Sequence, residues 1–166
     1  MDNYKILITT SGIGSRLGEL TKFTNKSLIR VGKKPAISYI IEKYPQNIEL
    51  VITLGHYGDQ VKDFLELVYP NRKFTFVRVN PYEGIGSSLV YSMLSAKDQL
   101  QCPFILHVCD TLTFDVIPPP TTNWCAGVKS SEKASQYRTH NVAGNKLLKI
   151  NEKGGSHFDR IHIGIC

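Results

Sequence analysis

The sequence predicts an α/β fold of three layers, α/β/α, around a mostly parallel central sheet. Apolar segments of strand length alternate with segments of helical periodicity from residue 4 to residue 108. Such an alternation requires crossover connections, and these make consecutive strands parallel. The chain has 166 residues, 42% of them hydrophobic and 20% charged, which suits one globular domain. We therefore expect a single domain over residues 1–166.

Local signals justify each element of this pattern. Four apolar runs are expected to be strands: YKILITT (4–10), ELVITL (49–54), KFTFVRV (73–79) and PFILHV (103–108). Three segments between them are expected to be helices: PAISYIIEKY (35–44), GDQVKDFLELVY (58–69) and SSLVYSMLSAK (87–97). Pro35 suits a helix start because its missing N–H is not needed there. Ser87 or Ser88 can cap the third helix.

The remainder of the chain carries weaker signals. The segment IPPPTTN (117–123) is expected to be a loop. Four short strand-like pieces follow, which either extend the sheet or form a small β-ribbon: WCAGVK, YRTHNVAG, KLLKINEK and RIHIGIC.

Charge and composition argue against several classes of protein. The formal net charge is +6, but the basic residues are scattered and not interleaved with aromatic ones, so we expect no nucleic-acid partner. No apolar stretch is long enough to cross a bilayer, and the N-terminus lacks a basic region followed by a cleavage site. We therefore expect no membrane association and a cytoplasmic location. The four cysteines lack zinc-ligand spacing, which favours reduced thiols.

Four loops follow the expected strands and share one edge of the sheet, where open α/β folds bind ligands. In the first loop, TTSGIGSR, Gly12 and Gly14 let backbone N–H groups turn toward an anion. Arg16 offers a fork of donors suited to phosphate, and Lys26 adds a point charge. The third glycine of a dinucleotide fingerprint is replaced by Leu17, and no Gly-Lys-Ser/Thr closes the loop, so neither nicotinamide nor P-loop binding is expected. On the residues alone, a turn with a surface arginine remains the alternative.

The stretch SGIGSRLGELTKFTNKSLIRVGKKPAISYII (11–41) resembles the entry motif of the sugar-phosphate nucleotidylyltransferases. That motif is roughly Gly-x-Gly-Thr/Ser-Arg-Leu, a Thr, Lys-Pro-Leu, a Gly and a Lys-Pro before an amphipathic helix. Its positions here are Gly12, Gly14, Ser15, Arg16, Leu17, Thr21, Lys26, Ser27, Leu28, Gly32, Lys34 and Pro35. The resemblance implies a Rossmann-like fold of the nucleotide-diphospho-sugar transferase type.

The resemblance continues in order along the chain. LGHYGDQV is similar to the family's second-strand turn, and NPYEGIGSSL to the segment that holds base and sugar. HVCDTL is similar to the strand that ends in a metal-binding aspartate, KINEKGG to the Glu-Lys element that meets the sugar phosphate, and RIHIGIC to an Asn-x-Gly-Ile strand.

Several positions depart from the family pattern. Thr-Thr-Ser precedes Gly12 in place of Leu-Ala-Ala, and Ser27 stands where Pro is common. The base-reading Gln is absent, with Asn80 as the nearest polar candidate, and His162 replaces the Asn of the late strand. The family's second metal-binding Asp lies further downstream and has no counterpart here. Either the chain is a fragment of a longer family member or the protein lacks this ligand, and we expect the C-terminal part of the family fold to be missing.

The resemblance implies a Mg²⁺-dependent reaction of a nucleoside triphosphate with a sugar 1-phosphate, giving an NDP-sugar and pyrophosphate for surface or capsular polysaccharide precursors. Arg16 would hold the β- and γ-phosphates, Lys26 would bridge the α-phosphate and the incoming phosphate, and Asp110 would bind Mg²⁺. The nucleophile is already an anion, so these three catalytic candidates act through charge and position, without a general base. The triphosphate-binding candidates are Ser11, Gly12, Gly14, Ser15 and Arg16.

Each of the other candidate binding residues has a purely structural role as its alternative. Asn80 would hydrogen-bond a base edge or serve a turn. Gly84 and Ser87 would approach the nucleotide or merely start the third helix. Glu152 and Lys153 would meet the sugar and its phosphate, or form an ion pair at a strand end.

The function also has alternatives. NPYEGIGSSL is similar to the shorter segment of cytidylyltransferases that activate choline phosphate or another small alcohol phosphate, and a non-catalytic nucleotide-sugar binding domain is a third class. A homo-oligomer is left open. Asp110 could cap a turn instead of binding a metal, and His107 is expected to be a buried histidine with satisfied hydrogen bonds.

Overall fold

The computed structural model describes residues 4–129, 134–154 and 157–166. The chain forms two compact units, Met1–Thr121 and Thr122–Cys166. The expectation that the whole chain acts as a single domain stays a prediction. Within the described residues, no helix is both long enough and apolar enough to span a membrane.

In the part of the first unit that the structure describes, there are six strands and three α-helices. In chain order the strands are β1 (Lys5–Thr9), β2 (Arg30–Val31), β3 (Lys34–Pro35), β4 (Glu49–Leu54), β5 (Phe74–Arg78) and β6 (Phe104–Val108). The helices are α1 (Ala36–Ile41), α2 (Gly58–Val68) and α3 (Leu89–Ser95), and short 3-10 helices cover Ser15–Thr21, Lys26–Leu28 and Lys97–Gln99. Strands β2 and β3 form a separate small ribbon.

The central sheet of this unit has four parallel strands in the order β5-β4-β1-β6. Ile6 of β1 lies beside Leu50 of β4 on one side and Ile105 of β6 on the other. Consecutive residues of β1, from Ile6 to Ile8, are fully buried, so both faces of the sheet are covered. The predicted α/β fold with a parallel sheet is confirmed.

The end of helix α1 differs from the expected one, and the structure shows which serine caps helix α3. Helix α1 follows Pro35 as predicted but ends at Ile41, because the Lys43 and Tyr44 amides bond three residues back and tighten the chain into a turn. Helix α3 is capped by Ser88, whose side chain accepts a 3.0 Å hydrogen bond from the Tyr91 amide. Ser87 instead lies just outside the helix cap.

The second unit is an antiparallel sheet, so its strand-like pieces do not extend the parallel one. Its strands are β7 (Gly127–Val128), β8 (Thr139–Ala143), β9 (Lys146–Asn151) and β10 (Arg160–His162), in the order β7-β10-β8-β9. Strands β8 and β9 form a hairpin whose turn uses Gly144 at a positive φ of 61°.

Candidate active site

The loops that follow β1, β4 and β5 contact each other at the carboxyl edge of the parallel sheet. The Ser11 carbonyl accepts a 3.0 Å hydrogen bond from the His56 amide. A Cβ atom on Gly55 would lie 2.4 Å from the Ser11 carbonyl oxygen and 2.7 Å from Tyr82 Cβ. Only glycine therefore fits at position 55. The sequence reasoning did not single out Gly55, although a glycine directly after a buried strand was its signal.

The two glycines of the first loop are needed for different reasons. Gly14 has a φ of +70°, and a Cβ there would lie 3.0 Å from Thr21 and 3.1 Å from Lys26. The fold itself therefore requires glycine at position 14. A Cβ on Gly12, by contrast, would meet no atom within 4 Å. Open space at Gly12 leaves room for a ligand to approach the backbone.

The side chain of Ser11 is buried and hydrogen-bonded within the protein. Its hydroxyl lies 2.8 Å from the Ser92 hydroxyl of α3, and the residue is 3% exposed. A role for Ser11 at the nucleotide would therefore fall to its backbone. Ser15 and Arg16, which begin the first 3-10 helix, are exposed to solvent.

Asn25 ties the first loop to its neighbours. Its fully buried Nδ2 donates to the carbonyls of Thr10 at 2.8 Å and His56 at 2.6 Å. Its Oδ1 accepts a 2.9 Å hydrogen bond from the Ser27 amide and so begins the short helix that carries Lys26. The sequence analysis missed this residue, for which an Asx turn in Asn-Lys-Ser was the available signal.

Lys26 and Asp110 form an ion pair beneath this loop. The Lys26 Nζ atom lies 3.0 Å from Asp110 Oδ2, and the two side chains are 18% and 42% exposed. Burial acts to lower the pKa of Lys26, but the nearby groups Cys109 and Asp110 outweigh it, so that the pKa is raised overall. Lys26 is therefore a firmly charged ammonium at neutral pH. The positive charge of Arg16 acts to lower the pKa of Lys26. Two cations and one carboxylate therefore lie near each other at this site.

Asp110 is positioned by a buried histidine at the end of β6. His107 Nε2 lies 2.9 Å from the Thr111 carbonyl and Nδ1 lies 2.8 Å from the Tyr44 hydroxyl. A carbonyl can only accept, so Nε2 carries the proton and Nδ1 accepts from Tyr44. Burial lowers the pKa of His107 and keeps it neutral. The expectation of a satisfied core histidine is confirmed, and its bond to Thr111 shapes the turn that holds Asp110.

The residues present fit a metal ion only in part. No group of three or more His, Cys, Asp or Glu side chains gathers around a possible ion site in the described part of the chain. Asp110 therefore supplies a single carboxylate. Mg²⁺ is commonly held by one or two carboxylates together with substrate phosphates and waters. The donor set suits an ion that arrives with a nucleotide.

The segment before α3 leaves its candidate residues open to solvent. Asn80 is exposed, and its carbonyl accepts a 2.7 Å hydrogen bond from the Tyr91 hydroxyl. Gly84 has a φ of +74°, and a Cβ atom there would meet no atom within 4 Å. The Gly84 carbonyl accepts a 2.8 Å hydrogen bond from the Ser87 hydroxyl. The side chain of Asn80 thus remains a candidate for base contact.

The two residues predicted to meet the sugar and its phosphate, Glu152 and Lys153, lie in the second unit. Glu152 Oε2 is 3.2 Å from Arg138 Nε, and both side chains are exposed. Lys153 is also exposed, in the turn after β9. Glu152 thus forms an exposed ion pair, but with Arg138 and not with Lys153, and the substrate roles of Glu152 and Lys153 stay predictions.

A cavity of about 350 Å³ in the first unit is lined by a different set of residues. It borders the segment that follows Asp110 but contains none of the predicted site residues. Its lining residues are Val31, Gly32, Tyr39, Glu42, Lys43, Leu112, Thr113 and Phe114. The charged cluster at the sheet edge, rather than this cavity, carries the chemistry expected of a phosphate site.

Comparison with known proteins agrees with the observed fold. No family model matches the chain. A choline-phosphate cytidylyltransferase of Streptococcus pneumoniae (strain ATCC BAA-255 / R6) is 28% identical over 104 residues, which are 61% of this chain and 43% of that protein. The match thus spans less than half the length of the relative.

Solved structures share the fold over nearly the whole chain. A UDP-glucose pyrophosphorylase complexed with UDP-glucose matches with a TM-score of 0.79 and 18% identity, covering 98% of this chain and 74% of that one. A CTP:phosphocholine cytidylyltransferase from Streptococcus pneumoniae matches with a TM-score of 0.69 and 23% identity, covering 98% and 69%. These likenesses confirm the expected Rossmann-like architecture.

Proposed function

We propose that this chain carries the nucleotide-binding part of a nucleotidyltransferase that joins a nucleoside triphosphate to a sugar 1-phosphate and releases pyrophosphate. One observation carries the proposal: Lys26 and Asp110 pair at 3.0 Å beside a glycine loop that also presents Arg16. Two cations and a carboxylate at the carboxyl edge of a parallel sheet suit a polyphosphate with its metal ion. The fold shared with a UDP-glucose pyrophosphorylase supports the same class.

Catalysis in this proposal rests on charge rather than proton transfer. The attacking phosphate oxygen of the acceptor is already anionic, so the barrier lies in bringing anions together. Arg16 would bind the outer phosphates that leave, and Lys26 would stabilise the charge that develops at the α-phosphate. Removing one preorganised donor of this kind typically costs about 10²–10³ in rate.

Asp110 would hold Mg²⁺ together with the phosphates of the bound nucleotide. When bound, the ion neutralises charge on those phosphates and orients them for in-line attack. The hydrogen bonds of His107 to Thr111 and Tyr44 fix the turn on which Asp110 stands. Lys26 holds the carboxylate in place from the other side.

A second candidate is a cytidylyltransferase that acts on choline phosphate or another small alcohol phosphate. The 28% identity to a choline-phosphate cytidylyltransferase favours it. Both candidates use the same phosphate loop and aspartate, so they differ in the base and the acceptor. We propose a sugar 1-phosphate as the acceptor, with Glu152 and Lys153 as the residues that would meet it.

A pyrophosphate-release assay tests the proposal. The protein is incubated with Mg²⁺, each of CTP, UTP, dTTP, GTP and ATP, and a panel of sugar 1-phosphates plus choline phosphate. We expect release that requires one nucleotide and one sugar phosphate and is lost in Arg16→Ala and Asp110→Ala but kept in Lys97→Ala, an exposed control. Release with CTP and choline phosphate alone would select the second candidate. No release with any pair would contradict transfer by this chain and favour a nucleotide-sugar binding domain.

A further inference from the structure

Two cysteines of the second unit flank one backbone hydrogen bond between neighbouring chain segments. The Ala126 amide donates a 2.8 Å hydrogen bond to the Ile165 carbonyl, next to the antiparallel pair β7–β10. The Ala126 carbonyl accepts a 3.4 Å bond from the Ile163 amide, so the register is irregular at this point. The 2.8 Å bond brings the residue before Ala126 next to the residue after Ile165, and these residues are Cys125 and Cys166.

The two thiols also act on each other. Burial and the neighbouring Cys125 thiol together raise the pKa of Cys166 to about 11. A disulfide spans Cα atoms about 4.4–6.8 Å apart, which is the usual separation of residues on neighbouring antiparallel segments. Both residues are half-buried, so a small thiol reagent can reach them.

We propose that Cys125 and Cys166 form a reversible intramolecular disulfide, which makes the second unit sensitive to redox conditions. In the reaction with a small disulfide such as oxidised glutathione, the Cys125 thiolate attacks one sulfur and releases one glutathione thiolate. The Cys166 thiolate then attacks the mixed disulfide at the Cys125 sulfur and releases the second glutathione. The protein loses two electrons, the glutathione disulfide gains them, and the two thiol protons pass to the two glutathione thiolates.

The disulfide would close a ring that contains β8 and β9. Glu152 and Lys153 stand at the end of this hairpin. Because a cross-link restricts the unfolded chain, the oxidised unit should resist unfolding better than the reduced one. The inference does not depend on the proposed function, since the two cysteines take no part in the phosphate site.

Thiol trapping after a glutathione redox titration tests the proposal. The full chain is equilibrated at graded ratios of reduced to oxidised glutathione, alkylated, and mapped by mass spectrometry. We expect wild type and the Cys102→Ser control to lose two alkylatable thiols together, with one cross-linked peptide joining Cys125 to Cys166. The folded chain should reach half-oxidation at about tenfold or more lower oxidised glutathione than the urea-unfolded chain, because the fold holds the thiols together.

Three results would overturn the proposal. They are glutathione adducts that persist on Cys125 and Cys166 separately, a cross-link to another cysteine, or the same oxidation midpoint in the folded and unfolded chains. Cys125→Ser and Cys166→Ser provide matched variants that should each prevent the cross-link. Fluorescence of Trp124, the single tryptophan, adds a readout because it adjoins Cys125 and should change on oxidation.

Discussion

Replacing Asn25 by alanine removes the side chain that joins the first loop to the neighbouring loop at the edge of the sheet. The change deletes three hydrogen bonds at once, to the Thr10 carbonyl, the His56 carbonyl and the Ser27 amide. Asn25, Thr10 and Ser27 are all fully buried, so water cannot replace the lost partners without opening the structure. We expect the first unit to be strongly destabilised.

The size of the effect follows from these three bonds. Each hydrogen bond contributes about 1 kcal/mol net, and leaving its buried partner unsatisfied costs about 1–3 kcal/mol. Partial relaxation of the loop recovers some of that cost. We therefore expect a loss of about 3–5 kcal/mol, a large fraction of the stability of an ordinary domain.

Urea unfolding followed by far-ultraviolet circular dichroism measures this loss, because α1, α2 and α3 all belong to the first unit. Asn71→Ala, at an exposed position, is the matched control and should change stability by less than about 0.5 kcal/mol. Asn25→Asp keeps the acceptor for Ser27 but turns a carboxylate oxygen toward two carbonyls, so it should also be destabilising. A loss within about 1 kcal/mol in Asn25→Ala would refute the reasoning.

The remaining predictions concern substitutions at three separate positions. Gly55→Ala should cost about 2 kcal/mol or more in urea unfolding, because its Cβ would overlap the first loop, whereas Gly12→Ala should leave stability nearly unchanged and weaken nucleotide binding. Burial opposes ionisation of Glu49, but hydrogen bonds from Thr75 and two lysines hold its pKa at about 2, below the ordinary 4.5. Its stabilisation is therefore present above about pH 4.5 and lost as the pH falls toward 2. Acid unfolding of Glu49→Gln should lack this step, and an unchanged acid transition would contradict the assignment.

The sequence predicted the parallel sheet well because the signals for it are local. Runs such as Ile6–Ile8 and Leu50–Ile52 are buried without alternation, which is typical of strands covered on both faces. The sequence also predicted that Lys26 and Asp110 would lie near each other, because the loops after β1 and β6 share the carboxyl edge of the sheet. The structure brings them to 3.0 Å, while the roles of Arg16, Lys26 and Asp110 stay predictions.

The parts that sequence reasoning missed depend on contacts between distant segments. Asn25 meets Thr10 and His56, and Gly55 is constrained by the first loop, so neither role is visible in local composition. The proximity of Cys125 and Cys166 likewise depends on the hydrogen bond between the Ala126 amide and the Ile165 carbonyl, which joins distant parts of the sequence. Strand-like pieces were recognised there, but apolar patterns do not say which strands pair.

The central claim is that Arg16, Lys26 and Asp110 form one site for a nucleotide and its metal ion. Calorimetric titration of a nucleoside triphosphate, with and without Mg²⁺, tests it most directly in wild type, Arg16→Ala, Lys26→Ala, Asp110→Asn and the control Lys97→Ala. Arg16→Ala and Lys26→Ala should weaken binding about tenfold or more in either condition, since each removes a cation. Asp110→Asn should weaken binding only with Mg²⁺ and leave or improve it without the ion, because it removes both a metal ligand and a negative charge. Equal affinity in all variants, with or without Mg²⁺, would contradict the account.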